Sequence, residues 1–425
     1  MSLRSAQCQG WQSRYARAIL DAVGAIVIGA GQAGLAVSRE LCSRGIDNVV
    51  LEQSRTGQSW RDRWDSFTLV TPNWTLDLPG SPYDGDDPEG HVARDDIVAY
   101  LERYRDQWKL PVREGVRVDR LTPGVLNRFR LRTSIGDLDT DVVVVCTGAF
   151  QRPYRPATGV WPASLAVMDA SEYRNPDHLP DGDVLVIGSG QTGCQFAEEL
   201  HLAGRGVYLS CGRAPWAPRR LDGIDAVTWA HRVRFFDQPL SALPTPAARL
   251  TANPQTTGAR GGHDLHYRTL QALGVRMLGR LSGVNGHRAG FVDDLGASVA
   301  FGDARWADLC TALRTDLPRL GYPVPELPTP DPFRYRPIEE IDLHGLGAVI
   351  FTSGFRPDYS WIDFDITDPL GFPITQDGRS TTVPGLYFCG VHFMRIRRSA
   401  FLFGIGDDAT VVADQLATRP QPAAV

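Results

Sequence analysis

The sequence has no Cys-x-x-Cys pair, no apolar run long enough to span a bilayer, and no marked excess of either charge. Its seven cysteines (Cys8, Cys42, Cys146, Cys194, Cys211, Cys310 and Cys389) are odd in number and sit mostly inside apolar segments. That pattern reads as reduced thiols in a cytoplasmic protein and excludes electron relay through a closely spaced dithiol. With 44 basic against 49 acidic side chains, the net charge is -5, so nucleic acid is not an expected partner. Met1 to Leu20 carries Arg4, Arg14 and Arg17 without a continuous apolar core, so it reads as a short disordered lead or a weak amphipathic helix rather than a secretory signal. His263 and His266 lie close together but have no third ligand at sensible spacing, so no metal is expected. Neither a nucleophile triad nor a carboxylate pair stands out.

Glycine and apolar strand formers are plentiful: 43 glycines, with 43% of the 425 residues hydrophobic. At roughly 100–200 residues per domain, the length allows two or three compact units. Ala25 to Ile28 is a short buried strand, followed by a helical pattern from Leu35 to Cys42 and a second strand at Val49–Leu51. Asp95 to Trp108 reads as a helix, Val116–Leu121 and Phe129–Thr133 as antiparallel strands, and Val142–Cys146 as a buried strand. After a Pro-rich crossing at Pro153–Pro162, a second β-α-β unit runs through Val184–Ile187, a helix from Thr192 to Ala203, and Val207–Ser210. Between Arg213 and Pro337 the periodicity is hard to read. Ala348–Thr352 and Gly385–Phe388 read as return strands, and Asp407–Ala417 as a closing helix.

Each β-α-β unit carries a glycine turn. In Gly29-Ala30-Gly31-Gln32-Ala33-Gly34, Gly29 permits the tight turn, Gly31 lets the backbone approach a pyrophosphate, and Gly34 lets helix pack on strand. Glu52 ends the second strand where a carboxylate holds a ribose hydroxyl, which selects an adenine dinucleotide. Gly188-Ser189-Gly190-Gln191-Thr192-Gly193 repeats the arrangement, but its second strand ends in Ser210-Cys211-Gly212-Arg213 with no acid. Arg213 there favours the 2′-phosphate of NADPH, with Arg219 and Arg220 as rival phosphate ligands.

Two such turns, the first with its ribose acid, resemble the flavoproteins that carry FAD and NAD(P)H together. Within them the chain resembles the bacterial class B flavin-containing monooxygenases. Further segments support this: Gly57-Gln58-Ser59-Trp60-Arg61, Asp65-Ser66-Phe67 with Thr71-Pro72, Thr147-Gly148, Thr352-Ser353-Gly354-Phe355, and Gly385 to Gly390. Two features depart from the family. Asp169 stands where its signature has histidine, although Tyr173 matches, and Val70 falls where animal and yeast enzymes have a flavin-facing asparagine, with Asn73 as a stand-in.

The resemblance implies an α/β fold of two Rossmann-like three-layer dinucleotide-binding domains, the NADPH domain inserted into the FAD domain. The expected boundaries are 21–155 and 341–425 for FAD, and 156–340 for NADPH. It implies an NADPH- and O2-dependent enzyme that oxygenates nitrogen, sulfur or activated carbon in a small organic substrate through a C4a-hydroperoxyflavin. The alternatives are an NAD(P)H-dependent oxidoreductase or oxidase without oxygen insertion, and a flavoprotein that binds both cofactors without turnover. Cofactor contacts are expected from Gly29, Gly31, Gln32, Ala33, Gly34, Glu52, Gln53, Ser59, Trp60, Arg61, Val118, Thr147, Gly148, Gly354, Gly390 and His392 for FAD. For NADPH they are Gly188, Gly190, Gln191, Thr192, Gly193 and Arg213. Asn73 and Trp60 are the catalytic candidates. Trp64 and Trp74 are candidates for the pocket wall, Arg395, Arg397 and Arg398 read as a solvated basic run with an anionic-substrate site beside Gly390 as the alternative, and a homodimer is the assembly considered.

Overall fold

The computed structural model describes residues 24–125 and 128–419; the lead at 1–20 and Cys8 lie outside them. Two parallel sheets organise the chain. In the first, Leu386–Phe388, Val143–Val145, Ala25–Ile28, Asn48–Leu51 and Val112–Arg113 run parallel in that order. The short strands Thr375–Gln376 and Arg379–Ser380 extend its edge antiparallel. In the second, the order is Ala166–Asp169, Leu346–Phe351, Asp183–Ile187, Val207–Ser210 and Arg276–Leu278, all parallel. The central strands are continuous apolar runs, buried along their whole length, as a parallel sheet covered on both faces requires.

Helices Gln32–Ser43 and Gln191–Leu202 follow the two glycine turns. Ile405–Ala417 packs beside Gln32–Ser43, and Arg94–Gln107 covers the flank, burying Ile97, Leu101 and Tyr104 at helical spacing. A three-stranded meander, Val118–Pro123, Phe129–Thr133 and Gly136–Thr140, lies outside the first sheet. The two chain crossings between the sheets run side by side, with Arg152–Pro153 antiparallel to Phe355–Arg356.

Two expectations change. The strand anticipated at 348–352 is present as Leu346–Phe351, but it lies between two strands of the second sheet. The chain therefore returns to the first sheet after Phe351, not at 341, because the backbone of this strand is hydrogen-bonded on both edges within the second sheet. The unpatterned stretch contains a 25-residue helix, Leu295–Arg319, whose buried Leu295, Val299, Gly302, Trp306, Cys310, Leu313 and Leu317 recur every three or four residues.

His263 and His266 serve structure. His263 Nε2 lies 2.7 Å from Glu198 Oε1. His266 caps helix Tyr267–Leu273: its Nδ1 accepts the Arg268 N–H at 3.2 Å, and the Thr269 hydroxyl accepts the His266 N–H at 2.9 Å. No group of three metal-ligating side chains occurs among the described residues. Burial pushes the His266 pKa down to about 4, against about 6.5 in an unfolded chain. The unfolded chain thus binds a proton that the folded chain refuses, and stability present above pH 6.5 is lost as the pH falls toward 4. His266→Asn keeps a capping oxygen without titrating. We expect it to flatten the decline of the denaturation midpoint between pH 6.5 and 4; an unchanged slope would remove His266 from this role.

Candidate functional site

The first glycine turn sits at the C-terminal end of Ala25–Ile28. Gly29 has φ +102°, and a Cβ there would lie 2.7 Å from the Cys146 carbonyl oxygen. A Cβ on Gly34 would lie 1.8 Å from the Gly29 oxygen, so only glycine lets the helix seat this close. Gly31 differs: nothing lies within 4 Å of its would-be Cβ. The protein itself does not require glycine at 31, whereas a phosphate approaching the backbone does. The helix that follows has no side-chain cap and no acid in its first turn, leaving its N–H groups and positive end for an anion. Glu52 is buried; Oε2 accepts the Ala30 N–H at 2.8 Å and Oε1 the Ser54 N–H at 2.9 Å. The carboxylate braces the turn, and each oxygen retains a lone pair for a ribose hydroxyl. These donors, the bare helix end and the opening over Gly31 fit an adenine dinucleotide.

Other expected contacts gather around this turn. Trp60 Nε1 donates to Gln32 Oε1 at 3.0 Å, and a Cβ on Gly390 would lie 2.7 Å from the Ala33 Cβ. Gln151 Nε2 donates to Thr147 Oγ1 at 2.8 Å and to the Gly148 oxygen at 3.1 Å, closing the turn after Val143–Val145. Gln53 and Ser59 are exposed, and Val118 is half-buried at the start of its strand.

The second turn repeats the close approach. Gly188 has φ +106°, and a Cβ on Gly193 would lie 1.9 Å from the Gly188 oxygen. Thr352 Oγ1 donates to that oxygen at 2.6 Å, so the Thr352-Ser353-Gly354 segment completes this turn rather than the first. Gly190 faces Ala252, and Gln191 Nε2 donates to the Pro254 oxygen at 3.1 Å. Segment 252–255 therefore lies against the turn beside half-buried Thr192.

The three arginines proposed for the 2′-phosphate separate cleanly. Arg219 is buried, with Nε 2.7 Å from Asp225 Oδ2 and Nη1 donating to the Val70 oxygen at 2.9 Å and Thr256 Oγ1 at 2.8 Å. Arg220 donates to the Gly261 and Gly262 carbonyls, both at 2.8 Å. Arg213 is exposed and pairs with no described residue.

Several chemical candidates also make contacts that hold the scaffold. Asn73 Nδ2 donates to the Asp87 oxygen at 2.9 Å and its Oδ1 accepts the Val92 N–H at 2.7 Å. Both ends of the amide thus pin loop 87–92. Arg61 is held by Glu102 Oε1 at 2.5 Å and the Thr56 oxygen at 3.3 Å, facing helix Arg94–Gln107. Trp64 stands edge-on to Phe196 at 4.8 Å, packing its loop onto the second unit's helix, where Tyr173 also meets Phe196 at 4.3 Å. Trp74 packs on Phe403 at 5.5 Å and His231 at 5.1 Å. Asp169 is tied to Arg155 at 2.6 Å.

The loop from Gly390 to Gly404 holds what the sequence left unassigned. Arg395 pairs with Asp408 at 2.8 Å and Asp377 at 3.1 Å, and Arg398 with Asp237 and Asp407, both at 2.8 Å. The basic run is therefore mostly neutralised, along with the acids in the first turn of Ile405–Ala417. Arg397 instead turns inward, its guanidinium 4.2 Å over Phe235 and 4.8 Å over Phe393. Arg249, which sequence reasoning missed, donates to the His392 oxygen at 2.8 Å. Burial, then Arg249 and Arg397, push the His392 pKa down to about 4, so its ring is neutral at pH 7.

The family model for pyridine nucleotide-disulphide oxidoreductases matches residues 26–229. A CzcO-like oxidoreductase of Geobacillus kaustophilus is 30% identical over 403 residues, covering 93% of this chain and 98% of the relative. The rice indole-3-pyruvate monooxygenase YUCCA1 is 31% identical over 182 residues, 42% of this chain and 45% of its own. The flavin monooxygenase of Stenotrophomonas maltophilia, in the structure of a double mutant, shares the fold with a TM-score of 0.67 at 20% identity, covering 93% of this chain and 98% of that one.

The glycine geometry separates two failures. Gly31→Val, at a position with open space around it, is expected to give folded protein with at least tenfold lower flavin content. Gly34→Ala forces the helix off the strand and is expected to lower the melting temperature as well. Flavin released per polypeptide, measured beside circular dichroism, checks both; full flavin occupancy in Gly31→Val would show that the first turn is not the dinucleotide site.

Proposed function

This chain belongs to the CzcO-like oxidoreductases of the flavin-dependent monooxygenase group, and we propose that it uses FAD, NADPH and O2 to oxygenate a small organic substrate. The observation that carries the reading is the opening over Gly31, between a helix end without a cap and the braced Glu52. FAD belongs there, with Gly29–Gly34, Glu52, Thr147, Gly148 and Gly390 around it. NADPH belongs at the second turn, with Gly188–Gly193 for the pyrophosphate and Arg213 for the 2′-phosphate. The inserted sheet is then the nicotinamide unit, and the sheet built from both ends of the chain is the flavin unit.

When bound, FAD supplies the redox chemistry, taking hydride from NADPH and activating O2. The chain supplies position and dryness. Trp60, held by Gln32, and the buried Phe67 and Trp64 exclude water from the loop beside the first turn. Arg219 ties that loop to the second unit through the Val70 carbonyl, holding the two cofactor sites in register. No side chain is asked to act as nucleophile, which agrees with the absence of a triad.

Arg213→Ala is expected to raise the KM for NADPH about ten- to a hundredfold while leaving that for NADH nearly unchanged, since a charge-assisted contact is worth about 1.5–3 kcal/mol. An unchanged NADPH preference would remove Arg213 from the site. The reaction itself is tested by reducing the enzyme anaerobically with NADPH and admitting isotopically labelled O2 with candidate substrates. Label in the product is expected; peroxide alone with every substrate would leave an oxidase.

A further inference from the structure

Beside His392 of the Gly390–Gly404 loop lie two guanidiniums, Arg249 and Arg397, with no carboxylate within hydrogen-bonding distance among the described residues. Arg249 has a side chain only 6% exposed, and its nearest carboxylate, Asp368, stands 3.8 Å away. Its guanidinium lies 3.7 Å from the Phe372 ring centre, and its Nε has no hydrogen-bond partner. Arg397 has no carboxylate within 4 Å among the described residues; Gln238 Oε1 accepts from its Nη2, and its Nε is also unpartnered. Taking a cation out of water is costly unless an anion meets it, and Arg395 and Arg398 beside this pair each have two carboxylates within 3.1 Å. Both unmatched charges bear on His392.

The backbone here is also unusual. Phe393, between His392 and the arginine run, has φ +51°, a conformation that a bulky side chain adopts only under constraint from its surroundings. Two residues before His392, Gly390 abuts Ala33 at the start of the first helix, so this loop adjoins the dinucleotide turn. Arg249 comes from the second unit, and residues 238–240 of the same segment hydrogen-bond to 395–397. The cluster therefore forms only where the two units meet.

We propose that Arg249, Arg397 and the His392 loop bind a carboxylate group of the substrate, placing an organic acid against the flavin. The inference rests on the monooxygenase reading above. A planar guanidinium fork matches a carboxylate, and each unpartnered Nε leaves a donor free. Asp368 already offsets part of the charge, which suits a monoanion better than a phosphate dianion. The cofactor phosphates have their own places at the two glycine turns.

The test uses the flavin-loaded enzyme and calorimetric titration with acetate, benzoate and phenylacetate, with benzamide and inorganic phosphate as controls. At least one carboxylate is expected to bind and to perturb the flavin absorbance, with benzamide inert. Arg397→Gln should weaken that carboxylate about ten- to a hundredfold, and Arg249→Lys, which keeps the charge but loses the fork, about tenfold. If Arg249→Lys fails to fold, Arg397→Gln alone decides. Failure of all three carboxylates, phosphate binding more tightly than any of them, or an unchanged affinity in Arg397→Gln would overturn the proposal. Anaerobic reduction of the same preparation by NADPH is recorded separately. Normal reduction without carboxylate binding defeats this inference alone, and absent reduction defeats the monooxygenase reading.

Discussion

The closeness of one carbonyl oxygen to one Cα, made twice, governs this molecule. Residue 34 can carry no Cβ because the Gly29 oxygen occupies its place, and residue 193 meets the same limit at Gly188. That approach seats each helix directly over the end of its strand. The free N–H groups of the helix then converge on the crevice at the strand ends, where an anion is most stabilised. Gly31 adds the opening, and Glu52 braces the turn from the neighbouring strand. Were residues 34 and 193 to carry side chains, the apolar strands would still pair, but neither helix would aim at anything.

Both glycine turns and their flanking elements were legible because their signals are local. Buried strands are mostly apolar runs, and the strand at Phe129–Thr133 falls where the alternation places it. The strand at Leu346–Phe351 was legible as a strand but not as a member of the second sheet, since pairing partners some 160 residues away leave no trace in a short window. The long helix Leu295–Arg319 had a readable heptad-like recurrence, masked by Gly296, Gly302 and Pro318, which lower helix propensity without ending it when one face is buried. The arginines show the same limit. Arg213, Arg219 and Arg220 are alike in sequence, and only the fold leaves one of them free.

A buried polar framework surrounds the loop after the first β-α-β unit and engages several of the chemical candidates. Arg219, paired with Asp225, reaches the Val70 carbonyl, His91 Nδ1 lies 3.1 Å from the Leu69 oxygen, and Asn73 clamps loop 87–92. Such groups are satisfied by backbone because a loop buried between two units cannot leave its own amides and carbonyls unpaired. Polar residues in an aromatic, proline-rich stretch resemble reacting groups on paper. Here they hold the stretch still, and across the interface Arg249 and Arg397 each keep an Nε without a hydrogen-bond partner.

The interleaving of the two sheets also orders events as the chain leaves the ribosome. Every strand of the inserted sheet lies between Ala166 and Phe351, so that unit has its full complement before the sheet that started first. Val143–Val145 must wait for Leu386–Phe388, some 240 residues later, to cover its open edge. Until then the nascent chain exposes an apolar strand edge, the kind that pairs with neighbouring chains. The unit begun first is finished last, and nascent molecules are most vulnerable to aggregation in the interval between.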